Sequence, residues 1–240
     1  ASGISQTLGG LTFSLYFISK RRKGAKGLLM KLPQFNFAVI SGILGNGSSE
    51  FLNSIAIGIT TFLFNRIIIS YVGSSGVAAF AITQYFLTIV MMILFGLGNG
   101  IQPVLSYNYG AGYFARVKGT LLRLIIIANS VGVGSFIVLR TQAVEMINLF
   151  IVGHGEALNI AIVVTETLSY SLLFIPLCMT ASIFFTALEM ARNSLLIALS
   201  RGVVFTVIGL SIFPILFEET GIWITPVVAE GITFFMGAFM

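Results

Sequence analysis

Hydrophobic residues in this chain come in long runs, separated by turn signals and charged clusters. A helix needs about 20 predominantly apolar residues to cross a bilayer. Seven runs qualify, at approximately 1 to 19, 46 to 71, 77 to 105, 119 to 139, 157 to 188, 193 to 216 and 221 to 240. The pattern predicts an all-α fold, a polytopic membrane bundle of about seven transmembrane helices. The run at 157 to 188 is longer than a bilayer requires, so it is expected to tilt or protrude. Pro33 closes a basic stretch, and residues 34 to 45 resume an apolar character with Gly42 and Gly45, which reads as an interfacial segment leading into the next helix. The expected organisation is one helix at 1–19, a basic linker and lead-in at 20–45, and six helices over 46–240.

Composition supports lipid as the solvent. The chain has 240 residues, 57% hydrophobic and only 9% charged, whereas soluble domains carry about 25% charged residues. Mean hydropathy is +1.02, and the 26 glycines suit a bundle in which neighbouring helices re-satisfy the backbone. The one cysteine, Cys178, lies in an apolar run and excludes both a disulfide framework and a thiolate metal site. His154, between Gly153 and Gly155, has no carboxylate or cysteine nearby, so no metal site is expected. There is no GxxxxGK[ST] phosphate loop, no GxGxxG after a strand, no HExxH and no GxSxG. Hydrolytic chemistry and ATP-driven transport are unsupported, no cofactor is expected, and an ion gradient is the remaining energy source. Ala1 opens without a basic n-region or a cleavage site, and Met240 falls inside an apolar run, so both ends are expected to be cuts through a longer protein.

The net charge of +5 reads as membrane orientation before nucleic-acid binding, and no nucleic-acid partner is expected. Lys20, Arg21, Arg22, Lys23, Lys26 and Lys31 follow the first run, Arg116 and Lys118 the third, and Arg192 the fifth. The alternate loops carry Arg140 but otherwise Glu145, Glu156, Glu218 and Glu219. The positive-inside rule places the basic loops in the cytoplasm, with an anionic-lipid patch as the alternative reading of residues 20 to 31.

Charges inside a spanning helix are costly and usually face the bundle interior. Glu50 lies early in the second helix with Asn53 and Ser54 on its face, and Asn65 extends the stripe deeper. This group is a candidate site for a proton or a cation; a Glu favoured by the helix macrodipole near the interface is the alternative. Glu230 falls about ten residues into the last helix, where a carboxyl can cycle between neutral and charged forms. Arg201, in the sixth helix, and Glu166, in the fifth, are candidates for intramembrane ion pairing, and pairing of Glu230 with Arg201 is the structural alternative to a coupling role. Arg66 sits near a helix end and can snorkel. The stretch Gly96-Leu97-Gly98-Asn99-Gly100-Ile101-Gln102-Pro103 predicts either a broken or kinked helix beside a cavity or close helix packing through small residues.

The segment Gly100-Ile101-Gln102-Pro103-Val104-Leu105-Ser106-Tyr107-Asn108-Tyr109-Gly110-Ala111-Gly112 resembles the GxQPxxxYNYGA signature of the multidrug and toxic compound extrusion (MATE) family. Gly47-Ser48-Ser49-Glu50, Phe64-Asn65, Gly76-Val77-Ala78-Ala79-Phe80 and Gly221-Ile222-Trp223-Ile224-Thr225-Pro226 with Glu230 resemble its MepA-like prokaryotic branch. The resemblance implies twelve helices in two six-helix lobes, and export of cationic, amphipathic compounds in exchange for H+ or Na+ from a prokaryotic plasma membrane. Residues 1–19 then correspond to the last helix of the N-terminal lobe, 20–45 to the cytoplasmic linker and 46–240 to the C-terminal lobe, and the remaining N-terminal lobe is the expected partner. Glu50 matches a Glu implicated in cation or drug coupling; Gln102, Pro103 and Tyr107 match the signature and are expected to serve helix bending and lobe packing as much as ligand contact. Some sodium-coupled members have an Asp where this chain has the surroundings of Cys178 and Met179, so a sodium site in this lobe is not expected. Phe51, Phe62, Phe64, Phe80, Tyr85 and Phe86 are candidate aromatic faces for an organic cation. A lipid-linked oligosaccharide flippase of the same superfamily and a non-transporting scaffold subunit are the alternatives.

Overall fold

The structure, a computed structural model, describes residues 7–12, 15–16, 35–150 and 156–239. By its internal contacts the chain divides into Ala1–Leu44 and Gly45–Met240. In the first unit, residues 7–12 and 15–16 are helical, and Thr12 Oγ1 donates to the Leu8 carbonyl at 2.8 Å. The rest of the basic linker, 17–34, lies outside the described residues.

Eight helices follow: α1 (Phe37–Tyr71), α2 (Ser74–Gly110), α3 (Phe114–Thr141), α4 (Ala143–Asn148), α5 (Glu156–Ser169), α6 (Ile175–Ala187), α7 (Ala191–Leu199) and α8 (Phe205–Ala238). No strand is found among the described residues. The fold is an all-α polytopic membrane bundle.

The first boundary differs from the sequence expectation. α1 begins at Phe37 rather than near residue 46, because Asn36 caps it: Asn36 Oδ1 accepts the Ala38 N–H at 3.1 Å and its carbonyl takes the first helical bond from Ile40 at 3.0 Å. The lead-in is therefore helix.

The long run near 157 to 188 neither tilts as one rod nor simply protrudes. It breaks into α5 and α6, bent by 41° at a 3₁₀ turn over Tyr170–Leu173. Pro176 supplies the local reason, since it stands in the first turn of α6 and has no N–H for a continuous ladder.

The apolar stretch Arg192–Ala238 is 47 residues long, about 70 Å if straight, more than twice a bilayer's hydrocarbon core. It is two arms. Glu218, at φ 53 and ψ −134, breaks the helical path within α8. A Cβ on Gly221 would overlap the Phe213 carbonyl, and one on Gly209 would come 2.8 Å from Thr225 Cγ2. Residue pairs 213/221 and 209/225 share a midpoint, as the arms of an antiparallel hairpin must. Glu218 and Glu219 sit exposed at its tip.

α2 packs against α3, α5 and α6, and α8 against α5 and α6. The core between them holds Ile68, Leu94, Leu168, Leu172, Ile222 and Trp223, and Phe80 stacks on both Phe64 (5.2 Å) and Trp223 (6.2 Å). α2 runs unbroken through Pro103. The stretch does not break the helix, and one of its glycines packs closely: at Gly98 a Cβ would overlap Ile183 of α6. A buried hydroxyl pair, Thr83 with Thr165 at 2.8 Å, joins α2 to α5, the kind of polar link that holds helices together where lipid provides no hydrophobic drive.

Candidate functional site

A π-turn over Ser200–Val204 interrupts the helical path between α7 and α8 and carries Arg201. Such a turn widens the helix and leaves carbonyls without their usual partners. Two hydroxyls take them: Thr206 Oγ1 donates to the Arg201 carbonyl at 2.8 Å, and Thr60 Oγ1 of α1 donates to the Gly202 carbonyl. The hairpin register sets Arg201 opposite Thr233, one helical turn from Glu230. The result is an ion pair, Arg201 Nη2 to Glu230 Oε1 at 2.8 Å, with side chains 17% and 12% exposed. Glu230 Oε2 is buried with no hydrogen-bond partner among the described residues. The Cys178 thiol donates to the Glu230 carbonyl at 3.5 Å.

The pair lies on a cleft of about 260 Å³. One wall is α1, with Ile57, Thr60, Thr61 and Phe64; a second is α2, with Phe80, Gln84, Met91 and Phe95; Ser171 and Ile175 contribute from the α5–α6 break, and Thr206, Pro226 and Ala229 from α8. Physically this is an apolar, aromatic-edged slot with one buried carboxylate–guanidinium pair and a few hydroxyl and amide groups. A charged or protonatable ligand group entering it would meet the Glu230–Arg201 pair in the wall, with the second carboxylate oxygen of Glu230 buried behind it.

Glu230 and Arg201 are brought together at the cleft. Arg201 and Glu166 do not pair with one another: Glu166 Oε2 is 2.9 Å from Arg140 Nη1, a half-exposed pair whose guanidinium lies over the Tyr170 ring at 5.5 Å. Exposed ion pairs contribute little, so Glu166→Gln is expected to change stability by less than about 1 kcal/mol in a detergent unfolding titration. The side chains of Glu50 and Asn53 lie outside the described residues, as does His154. Asn65 is half-buried and does not line the cleft, so it does not extend a polar stripe into it. Gln102 is half-buried, Pro103 exposed, and Tyr107 74% exposed. Of the candidate aromatics, Phe64 and Phe80 line the cleft, Phe86 is buried against Phe150, and Phe51, Phe62 and Tyr85 point outward. Among the described residues no group of three or more His, Cys, Asp or Glu could hold a metal ion.

Sequence reasoning missed Thr60, Gln84, Ser171 and the π-turn. Thr60 and Ser171 stand in apolar stretches without charged neighbours, so nothing local marks them. Arg201-Gly202, inside an otherwise apolar run, was the one available signal of an irregular turn.

Comparison with known proteins agrees with this architecture. A sequence model described as MatE matches residues 51–212. Multidrug export protein MepA of Staphylococcus aureus (strain bovine RF122 / ET3-1) is 25% identical over 231 residues, 96% of this chain and 50% of that protein. Multidrug export protein MepA of Staphylococcus haemolyticus (strain JCSC1435) is 22% identical over 239 residues, all of this chain and 52% of that protein. The chain thus spans about half the length of these relatives. A crystal structure of MATE in the straight conformation superposes with a TM-score of 0.85 at 21% identity, covering 98% of this chain and 54% of that one. The outward-facing conformation of a multidrug resistance MATE family transporter of the MOP superfamily gives 0.78 at 21%, covering 86% and 47%. At these identities the structures speak for the fold alone, and the sequence model, which matches more than half of the residues, carries the assignment: this chain belongs to the MatE family.

Proposed function

We propose that the chain is the C-terminal half of a secondary antiporter that exports cationic, amphipathic compounds in exchange for H+ or Na+, acting with an N-terminal lobe of the same polypeptide in a prokaryotic plasma membrane whose cytoplasmic side faces the basic loops. The observation that carries this reading is Glu230, which has one carboxylate oxygen held by Arg201 and the other without a hydrogen-bond partner among the described residues, in the wall of a cleft edged by Phe64 and Phe80. A proton or a cation arriving at that oxygen weakens the hold on Arg201, and departure of the ion restores it. A carboxylate of this kind exchanges one positive species for another, which is what antiport requires. The names of the MepA relatives and the absence of a nucleotide-binding motif support the same reading.

Glu50 enters through position. It lies on the helical line of α1 that continues two turns later at Ile57 and then at Thr60 and Phe64, all of which line the cleft. Half a cavity has no alternating gate, so the rocking of two lobes about the site needs the N-terminal lobe. A flippase for lipid-linked pyrophosphates would favour a strongly basic cavity, whereas among the described residues the arginine that lines this cleft is already paired with a carboxylate.

The test uses the full-length protein in everted vesicles, recording drug-driven H+ or Na+ exchange. Glu50→Gln and Glu230→Gln are each expected to lower exchange by about 100-fold, the range seen when a group central to proton transfer is removed. Unchanged exchange in both variants would remove these residues from the coupling site.

A further inference from the structure

Beside the turn between α2 and α3, two arginines share a groove that the transport reading does not use. A cavity of about 550 Å³ between the end of α2 and the start of α3 is lined by Val104, Asn108, Arg116, Gly119, Thr120 and Arg123, with Ala115. Arg116, Gly119, Thr120 and Arg123 recur at the three- and four-residue spacing of one helix face. Gly119 forms its floor, where a Cβ would meet nothing within 4 Å.

The depth of Arg123 is the physical problem. Tyr109, Tyr113 and Phe114 are exposed around the α2–α3 turn, with Tyr109 and Phe114 edge to face at 5.9 Å, and an aromatic girdle of this kind marks the membrane–water interface. Arg123 lies nine residues into α3, about 14 Å further along the axis, where an unpaired charge is costly. Yet it is exposed, and neither arginine has a carboxylate partner among the described residues; Arg116 lies over the Tyr113 ring at 4.8 Å. Helical side chains lean toward the helix N-terminus. Arg123 therefore leans back over Gly119 and Thr120 toward Arg116 and the interface, and the missing side chain of Gly119 leaves room for it.

We infer that this groove binds the phosphate of an anionic phospholipid headgroup, held between the guanidinium groups of Arg116 and Arg123 with the Thr120 hydroxyl as a further donor. Guanidinium matches phosphate in geometry and charge. A lipid is the occupant committed to, because the groove opens beside the aromatic girdle on a helix that spans the bilayer and the acyl chains are already in place there.

The full-length protein is reconstituted in nanodiscs of phosphatidylcholine with and without phosphatidylglycerol, and thermal stability and lipid retention by native mass spectrometry are measured. Wild type is expected to melt higher with phosphatidylglycerol and to retain it. Arg116→Gln with Arg123→Gln is expected to weaken retention about tenfold or more, since each basic residue at a membrane surface contributes several-fold to anionic-lipid binding. Lys118→Gln, which is off the groove-lining face, serves as the charge control and should retain the lipid. Gly119→Leu fills the floor while keeping both arginines, and should also lose it. Retention unchanged in the double variant, or equal loss in Lys118→Gln, would overturn the site in favour of diffuse attraction. Equal stabilisation by inorganic phosphate in phosphatidylcholine alone would overturn the lipid assignment in favour of a soluble anion. Should the double variant fail to reconstitute, the Gly119→Leu result decides, because normal retention there removes the groove.

Discussion

Gly221→Leu is expected to prevent the last two arms from closing, lowering stability by about 3 kcal/mol or more and reducing the yield of folded protein. The hairpin brings the Phe213 carbonyl and Pro214 nitrogen so near Gly221 that even a Cβ would overlap them. Both are backbone atoms, so no rotamer change relieves the overlap and the arms must part. Parting them removes the packing of Gly209 on Thr225 and shifts the register that sets Arg201 near Glu230. Gly96→Leu is the control, because a Cβ at Gly96 would meet nothing within 4 Å. Detergent-driven unfolding of the two variants should differ by several kcal/mol. Similar midpoints would mean that the arms do not approach as closely as the hairpin requires.

Arg201→Met is expected to be far more damaging than the combined Arg201→Met/Glu230→Gln replacement. Removing one member of a buried pair leaves an uncompensated charge and costs about 3 to 5 kcal/mol, whereas removing both is often close to neutral. At 17% and 12% side-chain exposure the pair is buried enough for this asymmetry to apply, although an open cleft moderates it. The single variant should therefore unfold at much lower denaturant and the double should recover most of the loss. A double-mutant cycle gives the coupling directly. Equal losses in the single and double variants would mean that the two groups do not act as a pair. The same cycle separates stability from transport: if Glu230 couples ions, the double variant folds but does not exchange.

Much of this fold is written in local patterns. Each pass needs its own apolar length, so the run from 77 to 105 predicted α2, at Ser74–Gly110, within a few residues. The run from 119 to 139 did the same for α3, at Phe114–Thr141. The apolar run alone starts α1 near residue 46, whereas the helix starts at Phe37 because Asn36, an Asn after Pro33 and before an apolar stretch, caps it. The bend of 41° between α5 and α6 was also partly visible, as Pro176 inside an overlong run. The candidate site was less legible. Glu230 and Arg201 stood out as charges in apolar surroundings, but Thr60 and Ser171 could be found only in space.

Local pattern was enough to show that lipid is the solvent, where the long apolar arms after residue 70 lie and which charges fall within them, because the bilayer tests every segment separately for length and polarity. Partner choice is different. Arg201 was a candidate to pair with Glu166 or Glu230, and it pairs with Glu230 while Arg140 takes Glu166. That was decided by the turn at Glu218, the register fixed by Gly209 and Gly221, and the π-turn that carries Arg201. An ion pair between helices depends on their relative height and rotation, and only packing of the assembled bundle sets those.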